Sequence, residues 1–189
     1  MSASGEIIRA YRGFGASMKQ RLDEHPGEER LLIYLVIAIL LFFVARVPNL
    51  LQVSAIQATE DISIEAIFVT NLVSSFFFAP LLLYAVAALS HLIAKAFGGK
   101  GTSYGARLAL FWTLLVIAPL SLVSTILQVA FPAAWLSSTL LVGLFLLFTY
   151  VWGTCLSVSE GFKSHFLTIL VIILTVFGLT VTFRLFITG

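Results

Sequence analysis

Residues 98–107 read GGKGTSYGAR and contain the pattern G-x-S-x-G as Gly101, Ser103 and Gly105. In a hydrolase that pattern lifts a serine nucleophile on a sharp turn between a strand and a helix. The run is also rich in glycine and lysine, as a phosphate-cradling loop is, with Gly98, Gly99 and Lys100 at its start. His91, Glu160 and His165 stand at the ends of neighbouring apolar runs. With Ser103 they have the makings of a Ser–His–Glu triad, or of a metal site with two histidines and one carboxylate.

The elements that must position these residues argue for neither chemistry. A nucleophile elbow needs a strand before the serine, whereas long apolar helical runs flank this loop on both sides. A P-loop needs G-x-x-x-x-G-K-[ST]. Here Gly99-Lys100 is followed by Gly101, and Ala94 stands where the first glycine belongs. No i, i+4 pair exists among His91, Ser103, Glu160 and His165, and Glu160 with Lys163 reads as a solvated turn. A plainer reading makes Gly98 and Gly99 a helix stop, because glycine takes the left-handed cap conformation without strain. Thr102 or Ser103 then caps the next helix by accepting a backbone N–H. Lys100, Ser103, Tyr104 and Arg107 are contact candidates on a basic turn. No catalytic residue, cofactor or metal is expected.

Composition fixes the class. Hydrophobic residues make up 60% of the chain and charged residues 11%, with mean hydropathy +1.06. Soluble domains carry roughly a quarter charged residues. Apolar runs long enough to cross a bilayer recur, at about 30–50, 66–94, 107–130, 136–158 and 165–187. The expectation is an all-α integral membrane protein with five transmembrane helices, 30–189, after a cytoplasmic segment, 1–29. The polar stretch before the first run does not read as a signal peptide. The single Cys155 excludes an intrachain disulfide. Net charge +2 gives no sign of nucleic acid as a partner.

Orientation follows from the basic residues. Arg9, Arg12, Lys19, Arg21 and Arg30 precede the first span; Lys95, Lys100 and Arg107 follow the second; Lys163 follows the fourth. The loops on the other side hold none, and the first carries Glu60, Asp61 and Glu65. Arg46 and Arg184 sit near the far ends of their spans, where they can snorkel outward. The N-terminus is therefore expected inside and the C-terminus outside.

Within 5–24, Ile7, Tyr11, Phe14, Met18 and Leu22 recur at spacings of three and four. One helix would carry them on one face and lie in the headgroup layer, drawn to membrane lipid. Gly13 and Gly15 weaken it, and His25-Pro26-Gly27 ends it. Pro80 and Pro119 fall near the bilayer middle of adjacent spans and are expected to kink them. Gly153, Ser157 and Gly161 form a small-residue stripe that permits close contact within the bundle, with another membrane protein or with a second copy.

A charge-coupled transporter needs ionisable groups at the bilayer middle, and no span places one there; Asn71 is the most polar side chain well inside a span.

The stretch AFGGKGTSYGARLALFWTLLVIAPLSL, Ala96 to Leu122, resembles the bacterial branch of the Yip1 family in its Gly-Gly turn, Ser/Tyr-bearing stretch and mid-helix proline. The likeness covers most of the chain from about residue 30. It implies five spans with the N-terminus in the cytoplasm and the C-terminus outside, in the inner membrane of a bacterium, and no family residue carries over as catalytic. Eukaryotic Yip1-like proteins bind small prenylated GTPases. The D-L-Y-G-P signature associated with them is absent here and the N-terminal region is short, so GTPase binding is not expected. The expectation is a non-catalytic, membrane-organising or partner-binding scaffold, with a small permease for an uncharged or lipidic substrate as the alternative.

Overall fold

The computed structural model describes residues 3–57, 63–162, 168 and 170–175. Among them the chain forms six helices and no strand: α1 (Ala3–Ala10), α2 (Phe14–Glu24), α3 (Glu28–Gln57), α4 (Ile64–Ala96), α5 (Ser103–Ala130) and α6 (Ala134–Glu160). Glu28–Gln52 of α3, and all of α4, α5 and α6, are long and apolar enough to cross a bilayer. The expected fifth span lies outside the described residues apart from 168 and 170–175, which are helical. There Thr168, Val171, Ile172 and Thr175 are buried.

Each described helix runs a little past its expected span. α3 continues to Gln57 although Pro48 lies inside it. α5 starts at Ser103, because the Thr102 side chain accepts the Gly105 N–H at 3.1 Å and caps the helix there. α4 stops where Gly98 adopts φ 85 and the Gly99 N–H returns to the Ala94 carbonyl at 2.9 Å.

α5 is the axis of the bundle and packs on α3, α4 and α6. Within its apolar stretch 56% of residues are buried by the rest of the chain, against 6% for α4. Gly105, Ala106, Ala109 and Ala118 keep its surface low and are themselves buried or nearly so. Small residues matter because lipid solvates apolar side chains as well as protein does, so close packing rather than water exclusion holds such helices together. Leu108, Phe111, Trp112, Leu115 and Val116 fill the centre against Leu35 of α3 and Cys155 and Leu156 of α6.

The N-terminal segment is not one helix. It breaks at residues 11–13 into α1 and α2, which fold back on one another and dock on α5 and α6. Met18 and Ala10 are fully buried, and Ile7, Phe14 and Leu22 pack against the core. The Phe14 ring meets Tyr150 of α6 edge-on at 6.2 Å. Arg21 is 4% exposed, ion-paired to Glu6 at 2.6 Å and to Glu24 at 2.7 Å, with its guanidinium 4.7 Å from the Trp112 ring centroid. The apolar stripe was aimed at protein.

Two of the three prolines inside helices share a device. A proline removes one helical hydrogen bond and disturbs the turn before it. Three residues ahead of Pro119, the Val116 carbonyl accepts the Tyr11 hydroxyl at 2.5 Å. Three residues ahead of Pro48, the Ala45 carbonyl accepts the Thr125 hydroxyl at 2.9 Å. In each case a hydroxyl from another element bonds a carbonyl in the turn before the proline. Burial against α5 also raises the Tyr11 phenol above its usual range, which keeps it a donor.

Candidate functional site

Glu160 ends α6 and is 1% exposed. The helix stops because Gly161 adopts φ 71, which returns its N–H and that of Phe162 to the Ser157 carbonyl. The 97–102 loop then folds over the helix end. The Lys100 N–H donates to the Glu160 main-chain oxygen at 2.9 Å, and the Gly101 N–H donates to Glu160 Oε2 at 3.1 Å. His91 Nδ1 lies 2.8 Å from Glu160 Oε1. Whenever the carboxylate is ionised it only accepts, and the ring nitrogen facing it is then the donor.

Two glycines make that approach possible. A Cβ on Gly101 would stand 2.4 Å from the Ser159 carbonyl oxygen and 2.8 Å from Glu160 Oε2. One on Gly99 would stand 2.7 Å from Oε2. The glycines of GGKG therefore do more than stop a helix; they let the backbone close on a buried carboxylate.

The reading of Glu160 as part of a solvated turn is thus corrected. The acid is buried because its two oxygens find donors from α4 and from the loop, which answers the desolvation cost of a buried carboxylate. His91 and Glu160 meet. Ser103 does not join them: it is exposed at the first position of α5 and makes no hydrogen bond with either among the described residues. His165 lies outside the described residues. Among the described residues no group of three or more His, Cys, Asp or Glu is placed to hold a metal.

The other residues singled out in the sequence divide by role. Tyr104 donates its hydroxyl to the Pro26 carbonyl and stacks on His25, 5.4 Å between centroids. Arg107 pairs with Glu28 at 2.6 Å and lies 5.8 Å from the Tyr84 ring. Both staple the 25–28 turn to the start of α5. The Lys100 side chain is exposed. The small-residue stripe splits: Gly153 faces Ile172 and Thr168, whereas Ser157 and Gly161 belong to the α6 cap. Gly161 is a terminator rather than a contact position. Pro80 and Pro119 lie inside α4 and α5, both half-buried.

The opposite end of the bundle, around Pro132, is open. A cleft of about 640 Å³ lies among α3, α5 and α6, with Arg46, Asn49, Gln52, Thr125, Gln128 and Ser137 on its wall. Arg46 also borders a second cleft, of about 620 Å³, against Asn71, Ser74 and Ser75 of α4. Arg46 is exposed and has no partner among the described residues. It stands sixteen residues beyond Arg30 on one helix, about 24 Å at 1.5 Å per residue, toward the far end of the Glu28–Gln52 span. Asn71 spends its amide on the Ile67 carbonyl of its own helix at 2.9 Å. Ser74 and Ser75 make no hydrogen bond among the described residues.

Sequence reasoning named Arg46 and Asn71 singly and missed that they share a cleft. The available signal was distance along the helix: Arg46 falls short of the far boundary. No protein-family model matches this chain, and no curated protein or solved structure matches it.

Proposed function

We propose that the chain is a non-catalytic, Yip1-like membrane scaffold that binds a transmembrane helix of another protein along the Arg46–α4 cleft. The single observation behind this is an arginine inside the span of α3 that faces Asn71, Ser74 and Ser75 and has no partner among the described residues. An arginine near the end of a span snorkels to the interface or pairs with a polar group of a neighbouring helix. Polar side chains on such a face hydrogen-bond to a neighbouring helix. The fitting partner helix carries a carboxylate or polar group opposite Arg46. The basic residues Lys95, Lys100 and Arg107 support an orientation with the N-terminus in the cytoplasm of a bacterium.

A photoreactive side chain at position 75, activated in native membranes, tests the proposal. A discrete protein adduct that Arg46→Gln abolishes is the expected result. Adducts with lipid alone would overturn it.

The 640 Å³ polar cleft supports a second reading, a permease for an uncharged substrate. Flux of small uncharged solutes into liposomes holding the purified protein alone would favour that reading over the scaffold.

A further inference from the structure

α1 and α2 bury one side against α5 and α6, and the cavity they enclose is cationic. It measures about 240 Å³, and its wall includes Glu6, Arg9, Arg12, Ser17, Gln20 and Arg21. We infer that this cavity is a phosphate site for the headgroup of an anionic phospholipid. The inference rests on the membrane reading above, but not on the helix-binding cleft.

The chemistry comes from the wall. Three guanidinium groups face one carboxylate, Glu6, which is already paired with Arg21. Arg21 also pairs with Glu24, and Gln20 donates to the same Glu24 carboxylate at 2.8 Å. Those contacts leave the buried Nε of Arg21 without an acceptor. Arg12 is exposed and makes no ion pair among the described residues. Guanidinium groups match the paired oxygens of a phosphate better than a point charge does. The Ser17 hydroxyl adds a donor on the same wall.

Depth selects the source. Arg107 and Glu28 meet at the start of α5, while Tyr11, at the turn of the hairpin, reaches the Val116 carbonyl nine residues further along. That is about 14 Å down the helix axis. Arg12, next to Tyr11 at that turn, carries a charge that no carboxylate among the described residues answers, and an anion there would answer it. Phospholipid phosphates are the anions at hand.

The test is native mass spectrometry of the full-length protein, titrated with phosphatidylglycerol or phosphatidylcholine vesicle lipid, with inorganic phosphate as competitor. Wild type should retain phosphatidylglycerol in preference to phosphatidylcholine. Arg12→Gln should weaken retention about fivefold, the worth of one basic residue at a membrane surface, with an unchanged melting temperature. Arg12→Lys should recover part of the loss. Lys19→Gln, on the same hairpin but off the cavity wall, should change nothing. Equal loss in Lys19→Gln, no preference between the two lipids, or displacement by millimolar phosphate would each overturn the inference. The last of these would point to a soluble phosphate ligand instead.

Discussion

The two ends of the bundle treat polar groups in opposite ways. At the Gly98–Gly101 end, the Glu160 carboxylate is buried and both its oxygens have donors. At the Pro132 end, Arg46, Asn49 and Gln52 line an open cleft, and Arg46 has no partner among the described residues. A fully satisfied buried network rigidifies and specifies a structure, so the first end is architecture. An unanswered charge implies something further to answer it, so the second end is where interaction is to be sought. Residues of catalytic type, His91 and Glu160, meet in that satisfied network.

The comparison breaks most readily at Glu160. Glu160→Ala strands the Gly101 N–H and the His91 ring nitrogen, each worth about 1–3 kcal/mol when buried without a partner. The variant should lose about 3 kcal/mol or more and fail to run as a single species by size exclusion in detergent. A melting temperature within a degree or two of wild type would mean that the latch is ornamental.

Arg21→Ala comes next. It removes a buried cation–π contact worth about 2 kcal/mol and leaves Glu6 without its arginine. Limited proteolysis should then cut within 3–24 while leaving α5 and α6 intact.

Tyr11→Phe deletes one hydroxyl and should cost about 1 kcal/mol. Thr125→Val does the same at Pro48, and the two losses should be similar in thermal melts because both serve a proline-disturbed turn.

Arg46→Gln should be the mildest, within about 0.5 kcal/mol of wild type as expected for an exposed group. The same variant should nevertheless lose the protein adduct formed from position 75. If it melts far below wild type instead, Arg46 belongs to the architecture and the contrast between the ends collapses.

Local features of the fold were legible in the sequence. The Gly98 stop, the Thr102 cap and the four described spans depend on nearest neighbours and run length, both of which a sequence displays. The burial of Glu160 was not legible, because its partners Gly101 and His91 lie 59 and 69 residues away. A lone acid before a glycine looks the same whether water or backbone surrounds it. The N-terminal segment shows the same limit. Its stripe of Ile7, Phe14, Met18 and Leu22 was correctly spaced, but an apolar face bound for protein and one bound for lipid have the same spelling. Gly13 was the clue, since it marks the break that lets the segment fold back. The Arg46 cleft was half legible: the sequence gives the arginine's depth, and only the packing of α3 on α4 gives its neighbours.

The Tyr11 hydroxyl bond also sets an order of events. Its acceptor lies 105 residues later in the chain. At a synthesis rate of roughly 5–20 residues per second, Tyr11 waits about 5–20 seconds before Val116 exists. For that interval Met18, Phe14 and Leu22 have no α5 or α6 to bury them. The apolar face of the hairpin therefore stays unburied by protein until α5 and α6 have been made.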